Sequence, residues 1–410
     1  MKTPDIPFLR GAWRSLAAAL VGASLAVGCG GGGGGSSVGV DTGGTGATVF
    51  SAGRISGFGS IIVNGVRFDD STARVVVDDD DGAAHDRGDL KLGMQARVQA
   101  GPVTTDAAGV AAAKATAIEF GSQIRGPVQA IDAAGATLVV LGQSVRVDAA
   151  TVFDGFAAGL GSVRVGDPVE VYAFFDKATA TYTATRIELK ASLADYKVVG
   201  AVAALDMAAR TCTIGGVTLS YAALPMSALP ALANGVVVRA RLQKAPQGAT
   251  LIAAALVSDD APAVPDGTET EVEGFITDFT GTGRFKVGGV TVDAGAPGVV
   301  FKSGSAAQLA NGVRVEVEGV TRAGVLAAAR IDVKTSGGGD QQFELHGAIE
   351  SVNLSAQSFV LRGTTVTYGI GTRFDDGTAA SLAVGAAVEV KGALSATGNQ
   401  LVAARIKFEH

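Results

Sequence analysis

Beyond residue 48 the chain alternates polar and apolar positions in short runs. Glu271-Val272-Glu273-Gly274-Phe275-Ile276 and Arg314-Val315-Glu316-Val317-Glu318 are typical. A period of two sends every second side chain to one face, the pattern of half-buried antiparallel strands. Tight turns separate the runs. Val63-Asn64-Gly65-Val66 predicts a two-residue hairpin, because both central residues of such a turn need positive φ. Gly142-Gln143, Gly215-Gly216 and Gly288-Gly289 are read as the equivalent turns. A stretch such as Ser305 to Asn311 has helical composition and predicts either one or two helical turns or a loop.

The same order of runs recurs five times. Gly53, Gly126, Gly200, Gly274 and Gly347 each open an apolar strand, at a spacing of about 73 residues. A second glycine follows in step within Leu90 to Gly93, Val163 to Gly166, Leu232 to Gly235, Leu309 to Gly312 and Leu382 to Gly385. A closing strand completes each copy, at Ala117 to Phe120, Arg186 to Leu189, Ala255 to Ser258, Arg330 to Val333 and Arg405 to Phe408. The expected repeats are residues 49–121, 122–192, 195–260, 268–335 and 342–410. Five strands with a short helical segment between the third and fourth predict an all-β chain of five tandem OB-like barrels. A five-stranded sandwich is the alternative.

The N-terminus has a different pattern. Lys2, Arg10 and Arg14 precede an apolar stretch from Ser15 to Gly28, too short to span a bilayer with margin. It ends Leu25-Ala26-Val27-Gly28-Cys29, which resembles a bacterial lipobox. Residues 1–28 are therefore expected to be a lipoprotein signal peptide, with Cys29 acylated. Residues 29–48, opening with the glycine run from Gly30 to Gly35, are expected to form a flexible tether. Several acyl chains on one cysteine anchor a protein stably, where one would be marginal. Gly30, rather than aspartate, after the cysteine favours the outer membrane by analogy with Gram-negative sorting.

Charge and composition narrow the partners. The formal charge is −6, and loss of the basic leader takes the rest of the chain near −8. An acidic chain repels phosphates, which argues against nucleic acid. The single tryptophan, Trp13, lies in the leader, so sugar stacking on tryptophan is excluded from the exported part. The second of the two cysteines, Cys212, falls in a column otherwise filled by Ile61, Leu138, Phe285 and Phe359. That column is apolar, so Cys212 is read as a core residue rather than a nucleophile.

Gly53-Arg54-Ile55, the run Gly59-Ser60-Ile61-Ile62-Val63-Asn64-Gly65-Val66 and Asp89-Leu90-Lys91-Leu92-Gly93-Met94 resemble the domain-of-unknown-function family 5666. The resemblance is strongest in the first repeat and looser in the other four. It implies repeated OB-like domains of bacterial lipoproteins and supplies no catalytic or binding residues.

No candidate site stands out as catalytic. Of the three histidines, His85, His346 and His410, none has metal-ligand spacing. His346 shares a column with Ala52, Arg125, Val199 and Glu273, whose variety predicts an exposed position. The oddity is Asp78, Asp79, Asp80 and Asp81 in an acidic loop of the first repeat. Adjacent carboxylates repel one another and want solvent or a cation, so the loop is either simply solvated or a weak calcium site. No other cofactor is implied. The expected function is non-enzymatic: a lipid-anchored module binding or spacing an unknown envelope protein or polymer. The alternatives are a hydrolase with a site between repeats and a purely structural stalk.

Overall fold

The computed structural model describes residues 47–79, 83–107, 109–259, 263–334 and 342–409. The predicted signal peptide and Cys29, with Asp80, Asp81 and His410, lie outside the described residues.

Each repeat closes into a small OB-like barrel. In the fourth, the opening strand Glu269–Gly281 pairs antiparallel with Arg284–Val287, which pairs antiparallel with Val290–Asp293. That third strand runs parallel to the closing strand Val325–Val333. Arg314–Arg322 then pairs antiparallel with both the closing and the opening strand, which completes the ring. The same ring of pairings holds in the other four repeats, whose opening strands are Val49–Phe58, Ile124–Asp132, Tyr196–Asp206 and Gln342–Asn353. Alternation supplies the cores. Val272, Ile276, Phe285, Val292, Val315 and Ile331 fill the fourth barrel and are fully buried. Each such side chain contributes about 1.5–3 kcal/mol relative to leaving it in water.

One local feature differs from expectation. In the second repeat the hairpin turn is Leu141-Gly142, one residue earlier than read, because Gln143 already begins the next strand. The turn has the same left-handed pair of residues as Asn64-Gly65, with φ of 46° at Leu141 and 71° at Gly142. The helical stretch between strands is a single 3₁₀ turn, as at Ala306–Gln308 and Ala379–Ser381. It is preceded in four repeats by a short extra element or bend. In the fourth repeat this is the strand Val300–Ser303, parallel to the closing strand.

The barrels are not beads on a string. Repeats 1 and 5 share one hydrophobic cluster and repeats 2 and 3 share another, while repeat 4 has its own, joined by Phe50 of repeat 1. The opening strand of repeat 1 pairs parallel with that of repeat 4, Val49 opposite Glu269 through Ala52 opposite Val272. Its far end pairs parallel with the opening strand of repeat 5, Gly57 opposite Glu344 and Phe58 opposite Leu345. The opening strands of repeats 2 and 3 meet antiparallel at Ile124 and Val198. Glycine makes the contact with repeat 5 possible. A Cβ on Gly57 would stand 2.4 Å from the carbonyl oxygen of Glu344.

Candidate functional site

Among the described residues, much of the unusual polar chemistry lies on one equivalent surface, the outward face of the opening and fourth strands. There the paired positions are Ala52 with Arg97, Arg125 with Glu170, Val199 with Arg239, Glu273 with Glu316, and His346 with Glu389. In each repeat the alternation that sends valine and leucine inward sends these residues out. The structure then packs the outward faces against one another. Polar groups that the sequence reads as solvated are thereby enclosed between repeats.

The acidic loop of repeat 1 enters this junction. Asp78 follows the short strand Arg74–Val77, and its backbone N–H donates to the carbonyl of Phe120 at 2.9 Å. Gly121 leaves room for its carboxylate, which a Cβ there would meet at 2.0 Å. The carboxylate pairs with Lys197 and, at 2.7 Å, with Arg239, both from repeat 3. Asp79 meets Arg125 of repeat 2 at 3.0 Å and Lys197 at 3.5 Å. Arg125 also reaches Asp195 at 2.6 Å. The Asp78, Asp79 and Lys197 side chains are only 9%, 4% and 1% exposed. This corrects the solvated-loop reading for the first two aspartates. They are ion-paired struts between three repeats, and a calcium ion there would have to displace a lysine and two arginines.

Beside this network the outward faces leave a cavity of about 520 Å³. Repeats 1 to 4 all contribute to its wall. Phe120, Phe174, Phe175 and Phe275 supply apolar surface, and Asp259 and Glu273 supply carboxylates. Burial pushes the Asp259 carboxyl above its ordinary range against the pull of Arg97 and Arg239. Lys177 is held on the rim by Asp278 at 2.8 Å, and Arg97 is held by Glu119 at 3.1 Å. Sequence reasoning missed this site, since it exists only where four repeats meet.

Between repeats 1 and 4 a carboxyl is buried. Glu271 is 1% exposed, opposite Ser51 across the parallel pairing. Burial, with the neighbouring charges of Glu316 and Glu318, raises its carboxyl well above the ordinary glutamate value of 4.5, and Lys302 opposes the shift. An acid raised in the folded state contributes stability that is complete below its unfolded value and lost as pH rises toward its folded one. Glu271→Gln should therefore melt higher than the native chain at alkaline pH, with the gap closing as pH falls toward 4.5. Thermal melts across a pH series check this; parallel curves would show that Glu271 does not titrate with folding.

A second titratable cluster lies between repeats 1 and 5. His346 is not the exposed residue expected from its variable column; its side chain is 16% exposed, because the Gly59 turn of repeat 1 packs over it. Its Nε2 donates to Glu344 Oε1 at 2.6 Å and lies 3.9 Å from Glu389 Oε2. Its Nδ1 faces Glu409 at 3.2 Å. Glu344 also pairs with Arg67 of repeat 1 and, at 3.0 Å, with Lys391. Burial opposes the charge on Glu344, yet hydrogen bonds from His346 and Lys391 and the charge of Arg67 bring its carboxyl down to about 2. Burial likewise pulls His346 down, and the hydrogen bond and charge of Glu344, with Glu389, outweigh it and raise the imidazole.

The remaining candidates are quieter. Cys212 sits in the shared core of repeats 2 and 3, and burial pushes its thiol up to about 11, unsuited to attack at neutral pH. His85 packs edge-on against Phe120 with ring centroids 5.6 Å apart, and its Nδ1 lies 3.2 Å from Asp89.

Comparison with known proteins bears on the repeats alone. No curated protein matches the chain. Among solved structures, one described as drosophila Unr CSD456 aligns at 14% identity over 52% of this chain and 97% of its own. Its TM-score is 0.13, too low to support any argument. The profile of one family matches residues 125–188, 273–332 and 346–407. Those segments fall on the second, fourth and fifth barrels, rather than on the first, where the sequence resemblance is densest. The second, fourth and fifth repeats thus each match the family described as Domain of unknown function (DUF5666).

Proposed function

We propose that the protein is a non-enzymatic binding module of the cell envelope, lipid-anchored through Cys29, whose five repeats act as one body. The observation that carries this is the cavity at the junction of repeats 1 to 4. Four barrels converge on it, and its wall joins phenylalanine surface to a few oriented charges. That is the composition of a site that holds a small amphipathic molecule rather than of a featureless spacer. A stalk needs only end-to-end contacts, whereas here the first repeat is paired with the fourth and fifth. The anchor favours the outer membrane, and the larger partner would be an envelope protein or polymer. Neither nucleic acid nor a cofactor belongs to this reading.

The test is a thermal-shift screen of the full chain against small amphipathic molecules, cationic and neutral. A hit should lose its shift in Thr277→Trp, which fills the cavity that Thr277 lines. Hits that survive that change would place binding elsewhere. The anchor has its own test. Cys29→Ser is expected to move the protein from the membrane fraction to the soluble one, and persistence in the outer-membrane pellet would refute lipidation.

A further inference from the structure

We propose that Glu344, His346 and Glu389 bind a divalent transition-metal ion of the zinc class. Their ligand atoms, one from each residue, lie within 4.8 Å of one another and are half-buried at the repeat 1–repeat 5 junction. One imidazole and two carboxylates form a nitrogen–oxygen donor set suited to zinc, and the imidazole disfavours calcium.

Three further features support the assignment. Glu409 faces His346 Nδ1 at 3.2 Å. A carboxylate there can accept the Nδ1 hydrogen and leave Nε2 as the nitrogen for the ion, the arrangement usual behind a metal-bound histidine. Gly59 backs the ring, since a Cβ on it would stand 2.5 Å from His346 Cβ. The separation of 3.9 Å between Nε2 and Glu389 Oε2 is too long for a hydrogen bond and short enough for an ion to bridge. Bonds of about 2.0–2.2 Å reach all three ligands once Glu344 Oε1 withdraws from Nε2 by roughly 0.7 Å. Arg67 shares Glu344 Oε1 and has to yield that oxygen to the ion, while Lys391 stays on Glu344 Oε2 and Glu389 Oε1, which the ion does not use.

The experiment is calorimetric titration of the chelator-treated full chain with zinc sulfate. The expected result is saturable binding of about one ion per chain. Glu409→Gln should bind about 10-fold more weakly. His346→Gln retains a side chain able to hydrogen-bond Glu344 but lacks the imidazole, and should abolish binding. Melting curves without zinc show that this variant is folded. Absence of saturable heat in the native chain overturns the proposal. So does heat that persists in both His346→Gln and Glu389→Gln, which would put the ion on other groups.

Discussion

Lys197→Met is expected to destabilise the protein by about 3–5 kcal/mol, among the largest effects of any single polar substitution in it. The ammonium is 1% exposed and stands between Asp78 and Asp79, themselves 9% and 4% exposed. Removing it leaves two carboxylates enclosed with less positive charge than they need, and burying an uncompensated charge costs far more than losing a surface pair. Arg239 and Arg125 still approach, at 2.7 Å and 3.0 Å, so the loss is partial rather than complete. Changing Asp78 and Asp79 to Asn in the same chain should restore much of the stability, because the demand for the cation disappears with the anions. Urea unfolding of the native chain, the single variant and the triple variant measures both effects. A loss below about 1 kcal/mol in the single variant would mean that the network behaves as an exposed one.

Gly57→Val should separate repeats 1 and 5. A Cβ at this position meets the Glu344 carbonyl oxygen at 2.4 Å and Ile62 Cδ1 at 2.7 Å, and one of those atoms is backbone. The strands cannot accommodate a branched side chain while Gly57 stays opposite Glu344. Overpacking of this kind costs about 1–3 kcal/mol, and here it also opens the hydrophobic cluster that the two repeats share. Hydrogen exchange should accelerate along Gln342–Asn353, whose start forms that pairing. Gly161→Ala is the control, since a Cβ there meets nothing within 4 Å. Its effect should stay within about 0.5 kcal/mol. Equal destabilisation by both substitutions would deny the strand contact its importance.

The alternation of Glu271-Val272-Glu273 is enough to place Val272 inside a barrel, and three recurrent landmarks are enough to count five barrels. These features are local or periodic, so a linear reading captures them. The turn at Leu141-Gly142 escaped by one residue because leucine carries no signal for the left-handed backbone it adopts, with φ of 46°. Asn64 does carry that signal. The larger misreading concerns the outward face. Variety at the position of His346 predicts exposure, as it would in an isolated barrel. In the assembled chain the same position faces a different neighbour in each repeat, so variety there reflects different junctions. Arg125 meets Asp79 of the first repeat, Val199 and Glu273 line the cavity, and His346 lies under the Gly59 turn of the first repeat. Nothing in the spacing of repeats says which ones will touch. Pairing of repeat 1 with repeats 4 and 5 arises from shape and charge across long separations, as in Thr48 with Thr268 and Arg67 with Glu344.

Those separations, 220 and 277 residues, set an order of events in time. A ribosome delivers the chain from its N-terminus at about 5–20 residues per second, and each barrel can close as soon as its own strands are out. The opening strand of repeat 1 is then complete on its inner side and still unmatched on the flank that the fourth and fifth repeats will cover. For tens of seconds at those rates it presents an unpaired strand edge, whereas Asp79 meets Arg125 as soon as the second repeat is in place.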